Sequence, residues 1–176
     1  HNNEIAQSEA ATGKKPFVKY WIHGEFLLVD NQKMSKSKEN FYNLDEIIAK
    51  NFDPLSLRYL FLTSHYRSYL NFTWEGLKAA QAGLNNLRAL VTSNKKQDTR
   101  QTLSEEKLTK IQEYSRRFNQ AVENDLNMPE ALAIVWEMAK SNIPNVDKAD
   151  LARDFDKILG LNLASKRDLA SRGLSS

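Results

Sequence analysis

From Thr73 onward, apolar side chains recur at steps of three and four. Leu77, Ala80, Leu84, Leu87 and Val91 form the first such series. That spacing places them on one face of a long helix, with Thr73 as its cap. Thr102 and Glu105 make a capping-box pattern ahead of a second long helix. Leu108, Ile111, Phe118 and Val122 lie on one of its faces, and Tyr114 or Ser115 completes the turn. Residues 124–127 break it. Pro129 opens a third helix through Leu132, Val135, Trp136 and Met138. Ile143-Pro144-Asn145 is a linker, and Asp147 caps a fourth helix through Leu151, Phe155 and Ile158 that Gly160 closes. Four amphipathic helices with short connections predict a helical bundle over residues 73–164. The polar loop at 93–101 carries Lys95, Lys96 and Arg100, which read as a solvated linker at least as readily as an RNA contact. The charged, serine-rich tail, residues 165–176, is expected to fray.

Residues 1–72 have a different character. A short helix is expected over residues 3–11, ended by Gly13 in a left-handed cap. Residues 17–22 are aromatic and β-branched and fit strand or non-strand. Tyr20 and Trp21 read as core. Phe26-Leu27-Leu28-Val29 reads as a short buried strand, and Asp30-Asn31-Gln32 as a turn. Asn43 caps a helix through Leu44, Ile47 and Ile48. Asp53-Pro54 starts another, mostly buried because residues 55–62 are so apolar, and its Arg58 is expected to pair with a buried acid. Residues 63–71 are polar and aromatic without a period.

Between the apolar run and Asn43 lies Lys33-Met34-Ser35-Lys36-Ser37. A generic lysine pair is a solvated basic loop. Two lysines separated by small hydroxyl residues, held after a strand, can also present mobile positive charge and hydroxyl donors to a polyphosphate. The net charge of +3 permits contact with an RNA backbone without demanding it. The absence of cysteine rules out disulfides and thiolate metal sites from these 176 residues. No apolar run approaches membrane-spanning length, so a cytoplasmic protein without membrane partners is the expectation. The first residue is His1 rather than Met, as in a processed chain or a piece of something longer.

The five-residue loop resembles the signature of class I aminoacyl-tRNA synthetases, and four further stretches resemble the cysteinyl-tRNA synthetases in particular. The segment His1-Asn2-Asn3-Glu4-Ile5-Ala6-Gln7-Ser8-Glu9-Ala10 is similar to that family's zinc-ligand helix. Tyr20-Trp21-Ile22-His23-Gly24 is similar to the approach to the signature loop. Asp53-Pro54-Leu55-Ser56-Leu57-Arg58-Tyr59, with Ser64-His65-Tyr66-Arg67-Ser68 and Leu70-Asn71-Phe72, resembles the stem-contact region. Asp125-Leu126-Asn127-Met128-Pro129-Glu130-Ala131-Leu132 resembles the helical domain of the DALR type. The resemblance covers residues 1–162. It implies an α/β remainder over residues 1–72, the C-terminal portion of a Rossmann-type class I catalytic domain with its stem-contact region. An all-α bundle follows, so the whole is mostly α. The family's His-x-Gly-His motif and two zinc-ligating cysteines are absent from this sequence.

What the resemblance implies for chemistry is activation of cysteine by ATP with Mg2+, then transfer to tRNA(Cys). Lys36, matching the second signature lysine, would neutralise charge on the leaving phosphates. Lys33 is the second catalytic candidate, and Lys33, Met34, Ser35, Lys36 and Ser37 together would bind ATP. Glu4 matches a zinc-ligating glutamate whose companion histidine precedes His1; zinc in the family binds the substrate thiolate and so rejects serine. Without the resemblance, Glu4 reads as a helix-start carboxylate. Asn2 stands where the family commonly has Glu. His23 matches a supporting histidine near the substrate; alone it is a loop histidine beside Gly24. His65 reads as a brace, while Arg67 fits either a brace or a tRNA phosphate. Without its N-terminal half, the chain is expected to be inactive. Two rival readings share these features: a cysteine:amino-sugar ligase of the mycothiol pathway on the same scaffold, and a non-catalytic tRNA-binding synthetase-like module.

Overall fold

The computed structural model describes residues 1–34, 42–92 and 104–163. Their elements, in chain order, are α1 (Asn2–Thr12), β1 (Leu27–Val29), β2 (Gln32–Lys33), α2 (Leu44–Ala49), α3 (Pro54–Leu62), β3 (Leu70–Phe72), α4 (Trp74–Thr92), α5 (Glu105–Glu123), α6 (Met128–Lys140) and α7 (Asn145–Leu159). Ser35, Lys36, Ser37, the basic loop with Lys95, Lys96 and Arg100, Thr102 and the tail from Ser165 lie outside the described residues. Among the described residues, no helix is long and apolar enough to cross a membrane.

Helix α4 begins where the sequence places its cap: Gly76 N–H donates to Thr73 Oγ1 at 2.9 Å. All five residues of its stripe are buried, and Leu77, Leu84, Leu87 and Val91 have no accessible surface. Helices α3, α6 and α7 pack on it, and α5 closes the bundle against α6 and α7. Its approach to α3 is close at Gly83, where an added Cβ would meet the Tyr59 hydroxyl at 3.2 Å. That hydroxyl accepts a hydrogen bond from Trp136 Nε1 at 2.9 Å, so a polar pair is satisfied between α3 and α6. Across the bundle, Phe118 of α5 and Phe155 of α7 stack with ring centroids 4.1 Å apart.

The end of α7 is held by charge. Gly160 adopts φ +63, and an added Cβ there would lie 3.0 Å from Arg58 Nε. Arg58 donates to the carbonyls of Leu159 and Ile158. These are the carbonyls a helix end leaves unpaired, which is why Arg58 takes them rather than the expected buried acid. Arg88 of α4 donates to Leu161 O at 2.6 Å and to Asp53 Oδ2 at 2.8 Å. The other oxygen of Asp53 caps α3 through Leu55 N–H. Asp156 accepts from the backbone N–H groups of Leu161 and Leu163, which lets Leu159, Leu161 and Leu163 sink out of solvent.

The sheet has strand order β2-β1-β3, with β2 antiparallel and β3 parallel to β1. Asp30 and Asn31, at φ +49 and +61, form the two-residue turn between β1 and β2, a geometry that suits the twist of a hairpin. Strand β3 falls in the stretch expected to be aperiodic. Three residues are too few to show alternation, and the strand exists because β1 offers Leu27 to Leu70, Leu28 to Asn71 and Val29 to Phe72.

Several other expectations need correction. Only Val29 of the apolar run is fully buried, and Phe26 is exposed, because the sheet has a single covered face. Helix α3 buries Ser56, Tyr59 and Leu60 while Phe61 faces out; its apolar run is longer than the face it packs. Tyr20 and Trp21 are exposed, at 86% and 40%. Residues 13–26 form no helix or strand that would turn them inward, and α1 buries no residue at all. Helix α5 is capped by Ser104, not Thr102, so Glu105 is its first residue rather than the third that a capping box requires. Its inward face is Tyr114, Phe118 and Ala121, with Leu108 46% exposed, because the first turns of α5 run past its neighbours. Helix α7 starts at Asn145 behind Pro144, which leaves Asp147 in the first turn, where a carboxylate still suits the helix dipole.

A polar latch joins the connector after α3 to the α5–α6 corner. Asp125 accepts from the Tyr66 hydroxyl at 2.6 Å and ion-pairs with Arg67 Nε at 2.9 Å. His65 Nε2 donates to Asp125 O at 3.0 Å while its Nδ1 accepts from Arg67 N–H. That pairing fixes the tautomer and makes His65 a brace. Asp125 and Leu126 both have φ +54, a conformation unfavourable for side chains other than glycine, asparagine and aspartate. The Tyr66 hydrogen bond, then Arg67, holds the Asp125 carboxyl below its ordinary range.

Two predictions come from this packing. Phe118→Ala should lower unfolding stability by ~3–5 kcal/mol, whereas Leu108→Ala should cost under about 1 kcal/mol; urea midpoints at an unchanged slope check both. Asp125→Asn keeps a residue that tolerates positive φ but removes the charge. A carboxylate with a depressed folded pKa stabilises above its unfolded value and loses that contribution as pH falls through the folded one. The melting-temperature gap between wild type and Asp125→Asn should therefore be full at neutral pH and close below about pH 4. A gap that widens on acidification contradicts the latch.

Candidate functional site

The described part of the lysine loop sits at the open end of the hairpin. Lys33 is the last residue of β2 and is exposed, with Nζ 5.6 Å from the centroid of the Phe26 ring. Met34 follows it and packs against the core. The hairpin turn is fastened to β3: Asp30 N–H donates to Phe72 O at 3.1 Å, and Asn31 N–H to Asn71 Oδ1 at 2.7 Å. The chain re-enters the described structure at Tyr42, whose ring lies 5.0 Å from Trp74 and 5.7 Å from Phe72. Asn43 then opens α2 with a full capping box with Glu46. Both flanks of residues 35–41 therefore rest on the segment that joins β3 to α4. Sequence reasoning singled out neither Tyr42 nor Trp74 and named Phe72 only within the stem-contact stretch, because Tyr42 is too far from the other two to show a local period.

A second group lies at the start of α1. Glu4, in its first turn, stands 3.7 Å from His1 Nδ1. The His1 ring lies 4.5 Å from His23 and stacks on Trp21 at 5.0 Å, and the Trp21 and His23 rings are nearly parallel, at 7°. The structure thus brings Glu4 and His23 into one exposed cluster through His1. Among the described residues, no three His, Cys, Asp or Glu side chains are placed to hold a metal ion. A zinc site of four nitrogen, sulfur or carboxylate donors does not fit what the described residues supply.

Lys33 and the Glu4–His23 cluster thus lie on different elements, Lys33 on β2 and Glu4 on α1. Arg67, which could have faced a phosphate, spends its guanidinium on Asp125 and Tyr66. These interactions raise its pKa further, the Tyr66 hydrogen bond first.

Residues 1–82 match the family model described as tRNA synthetases class I (C) catalytic domain. Cysteine–tRNA ligase 1 of Burkholderia lata is 42% identical over 97% of this chain and 34% of its own length. The cysteine–tRNA ligase of Leptospira interrogans is 37% identical over 100% of this chain and 41% of its own length. That of Solibacter usitatus is 43% identical over 80% of this chain and 30% of its own. The chain spans about a third to two-fifths of the length of the relatives it matches. It is a homologue of part of a cysteine–tRNA ligase, and its first 82 residues match a class I tRNA synthetase catalytic domain.

Proposed function

We propose that the full-length protein carrying this chain activates cysteine with ATP and transfers it to tRNA(Cys). The supporting observation is the lysine loop itself, entered from a rigid hairpin within the segment that matches the class I model. In this reading the cysteine carboxylate attacks the α-phosphate in line, an O–P bond forms, and the bond to pyrophosphate breaks. A ribose hydroxyl of the terminal tRNA adenosine then attacks the adenylate carbonyl, loses its proton and expels AMP. Little covalent work falls to the protein, which positions reactants and balances charge.

Lys36 carries the main role: its ammonium meets the charge that gathers on the leaving pyrophosphate, supported by Lys33 and by hydroxyl donors from Ser35 and Ser37. Mg2+ bound with ATP would share that neutralisation. His23 supports the substrate site from the α1 cluster. Glu4 would contribute one zinc ligand only if other parts of the protein supplied the rest, so no step is assigned to zinc. Residues 1–72 act as part of the catalytic domain with its stem-contact region. Residues 73–164 form the helical domain, of the DALR type, and the location is cytoplasmic. This chain by itself is inactive in the same reading.

Cysteine-dependent exchange of labelled pyrophosphate into ATP, followed by charging of tRNA(Cys), tests the proposal in the full-length gene product. Lys36→Ala should lower the exchange rate by about 100-fold and leave the KM for cysteine within about twofold. Exchange that ignores the amino acid supplied would defeat the reading, and exchange without tRNA charging would point to the amino-sugar ligase.

A further inference from the structure

The three-stranded sheet has two unlike faces. Side chains alternate along a strand, so Leu27 and Val29 of β1 share a face with their partners Leu70 and Phe72 of β3. That face is covered: Val29 and Phe72 are buried, and Leu27 and Leu70 pack against the core. The other face carries Leu28 and, one residue ahead of each paired strand, Phe26 and Tyr69. Phe26 is 62% exposed and Tyr69 63%. Lys33 stands opposite Leu28 across the hairpin and so belongs to the same face. Its Nζ lies over the Phe26 ring, 5.6 Å from the centroid, where a cation is drawn to the ring quadrupole. Glu25, the carboxylate next to Phe26, folds back onto the Phe26 N–H at 3.1 Å. Asn71 turns its amide oxygen to the hairpin.

Exposed aromatic side chains on neighbouring strands are the arrangement on which unpaired bases stack. A lid of apolar protein would take the Lys33 ammonium out of water at a cost. A nucleotide instead brings an aromatic base for the rings and a phosphate for the ammonium. The bundle is less suited to a polyanion along the outer faces of α5 and α7. There Lys110, Arg116, Arg153 and Lys157 each meet a carboxylate of their own helix.

We propose that the open face of the sheet is a stacking platform for the unpaired 3′ nucleotides of the tRNA, with Phe26 and Tyr69 against the bases and Lys33 beside a phosphate. The inference rests on the function proposed above, in which the terminal adenosine of that strand is the acceptor. Stacking accepts any base, so the platform holds the strand without reading its sequence.

The dissociation constant of tRNA(Cys) from the full-length gene product tests this, measured with intact tRNA and with tRNA trimmed of its unpaired 3′ nucleotides. Tyr69→Leu, which keeps apolar bulk but loses the ring, should weaken binding of intact tRNA by about tenfold, and Tyr69→Phe should stay within about twofold of the unsubstituted protein. With trimmed tRNA, Tyr69→Leu should change binding by less than about twofold, because the bases it stacks on are gone. Lys33→Gln should flatten the dependence of log Kd on log salt by about 0.7. The proposal is overturned by an equal loss with intact and trimmed tRNA, by a salt slope that Lys33→Gln leaves unmoved, or by a weakening of ATP binding in Tyr69→Leu, which would assign the face to adenine of the nucleotide. No loss with intact tRNA overturns it too, as when another part of the protein covers the face. Should Tyr69→Leu fail to fold, Phe26→Leu enters the same comparison, with Phe26→Tyr as its conservative partner. Failure of the underlying function shows itself separately, as pyrophosphate exchange in the unsubstituted protein that does not depend on cysteine.

Discussion

The bundle leans on the buried face of α4. Leu77, Leu84, Leu87 and Val91 are shut off from solvent along the length of one helix. At roughly 25 cal/mol per Å² of apolar surface, such a stripe is worth several kcal/mol, enough to decide whether the other elements find their places. Each neighbour covers part of it: α3, α6 and α7 along the sides, and the aromatic group around Trp74 at the start. The polar node at Arg88 works beside that stripe. It joins the cap of α3 to the turn after α7, with side chains only 22% and 28% exposed for Arg88 and Asp53. Surface pairs such as Lys110 with Glu106, open to water and screened by salt, do not have that leverage.

The sheet is small, and its size explains its construction. A parallel pair of three-residue strands holds few hydrogen bonds, so β1 is reinforced from the other side by the β2 hairpin. The hairpin turn in turn borrows an acceptor from the Asn71 side chain. The benefit is a fixed exit for Lys33. In the proposed function, the Lys33 stem would contribute to charge stabilisation only if its anchor did not wander, since freedom at the anchor adds to the entropy lost on meeting a phosphate.

Legibility in the sequence follows range. The stripe of α4, the caps at Asn43, Asp53 and Thr73, and the left-handed ends at Gly13 and Gly160 depend on residues within a turn of each other, and all were readable. Strand β3, the partners of Arg58 and the exposure of Trp21 depend on residues far away in the chain. No local period encodes them. Helix α5 marks the boundary. Its phase was readable, but which of its turns is covered depends on where α6 and α7 end, so Leu108 stands in solvent while Ala121 does not. For the site, the five loop residues were legible as a motif, whereas the aromatic group that Tyr42 joins where the described chain resumes was not. Tyr42, Phe52 and the pair Phe72 and Trp74 come from three stretches of the chain and become one group only after folding.

The two left-handed residues at the α5–α6 corner show how such distant support is used. That conformation is tolerated at Asp125 but unfavourable at Leu126, on the order of 1–3 kcal/mol, and α5 alone gives no reason to adopt it. They let the chain turn sharply, so that Asn127 N–H reaches Ala121 O and Asn127 caps α6 through Glu130 N–H. They also turn Asp125 outward to meet Tyr66 and Arg67. The strain is thus offset by partners from a connector nearly sixty residues earlier in the chain. A connector held in that way cannot move without releasing the corner. The same physics acts at both ends of β3, where Tyr66 and Arg67 fasten one side and Trp74 the other. The strand beside the hairpin is fixed from two directions by the helices that follow it.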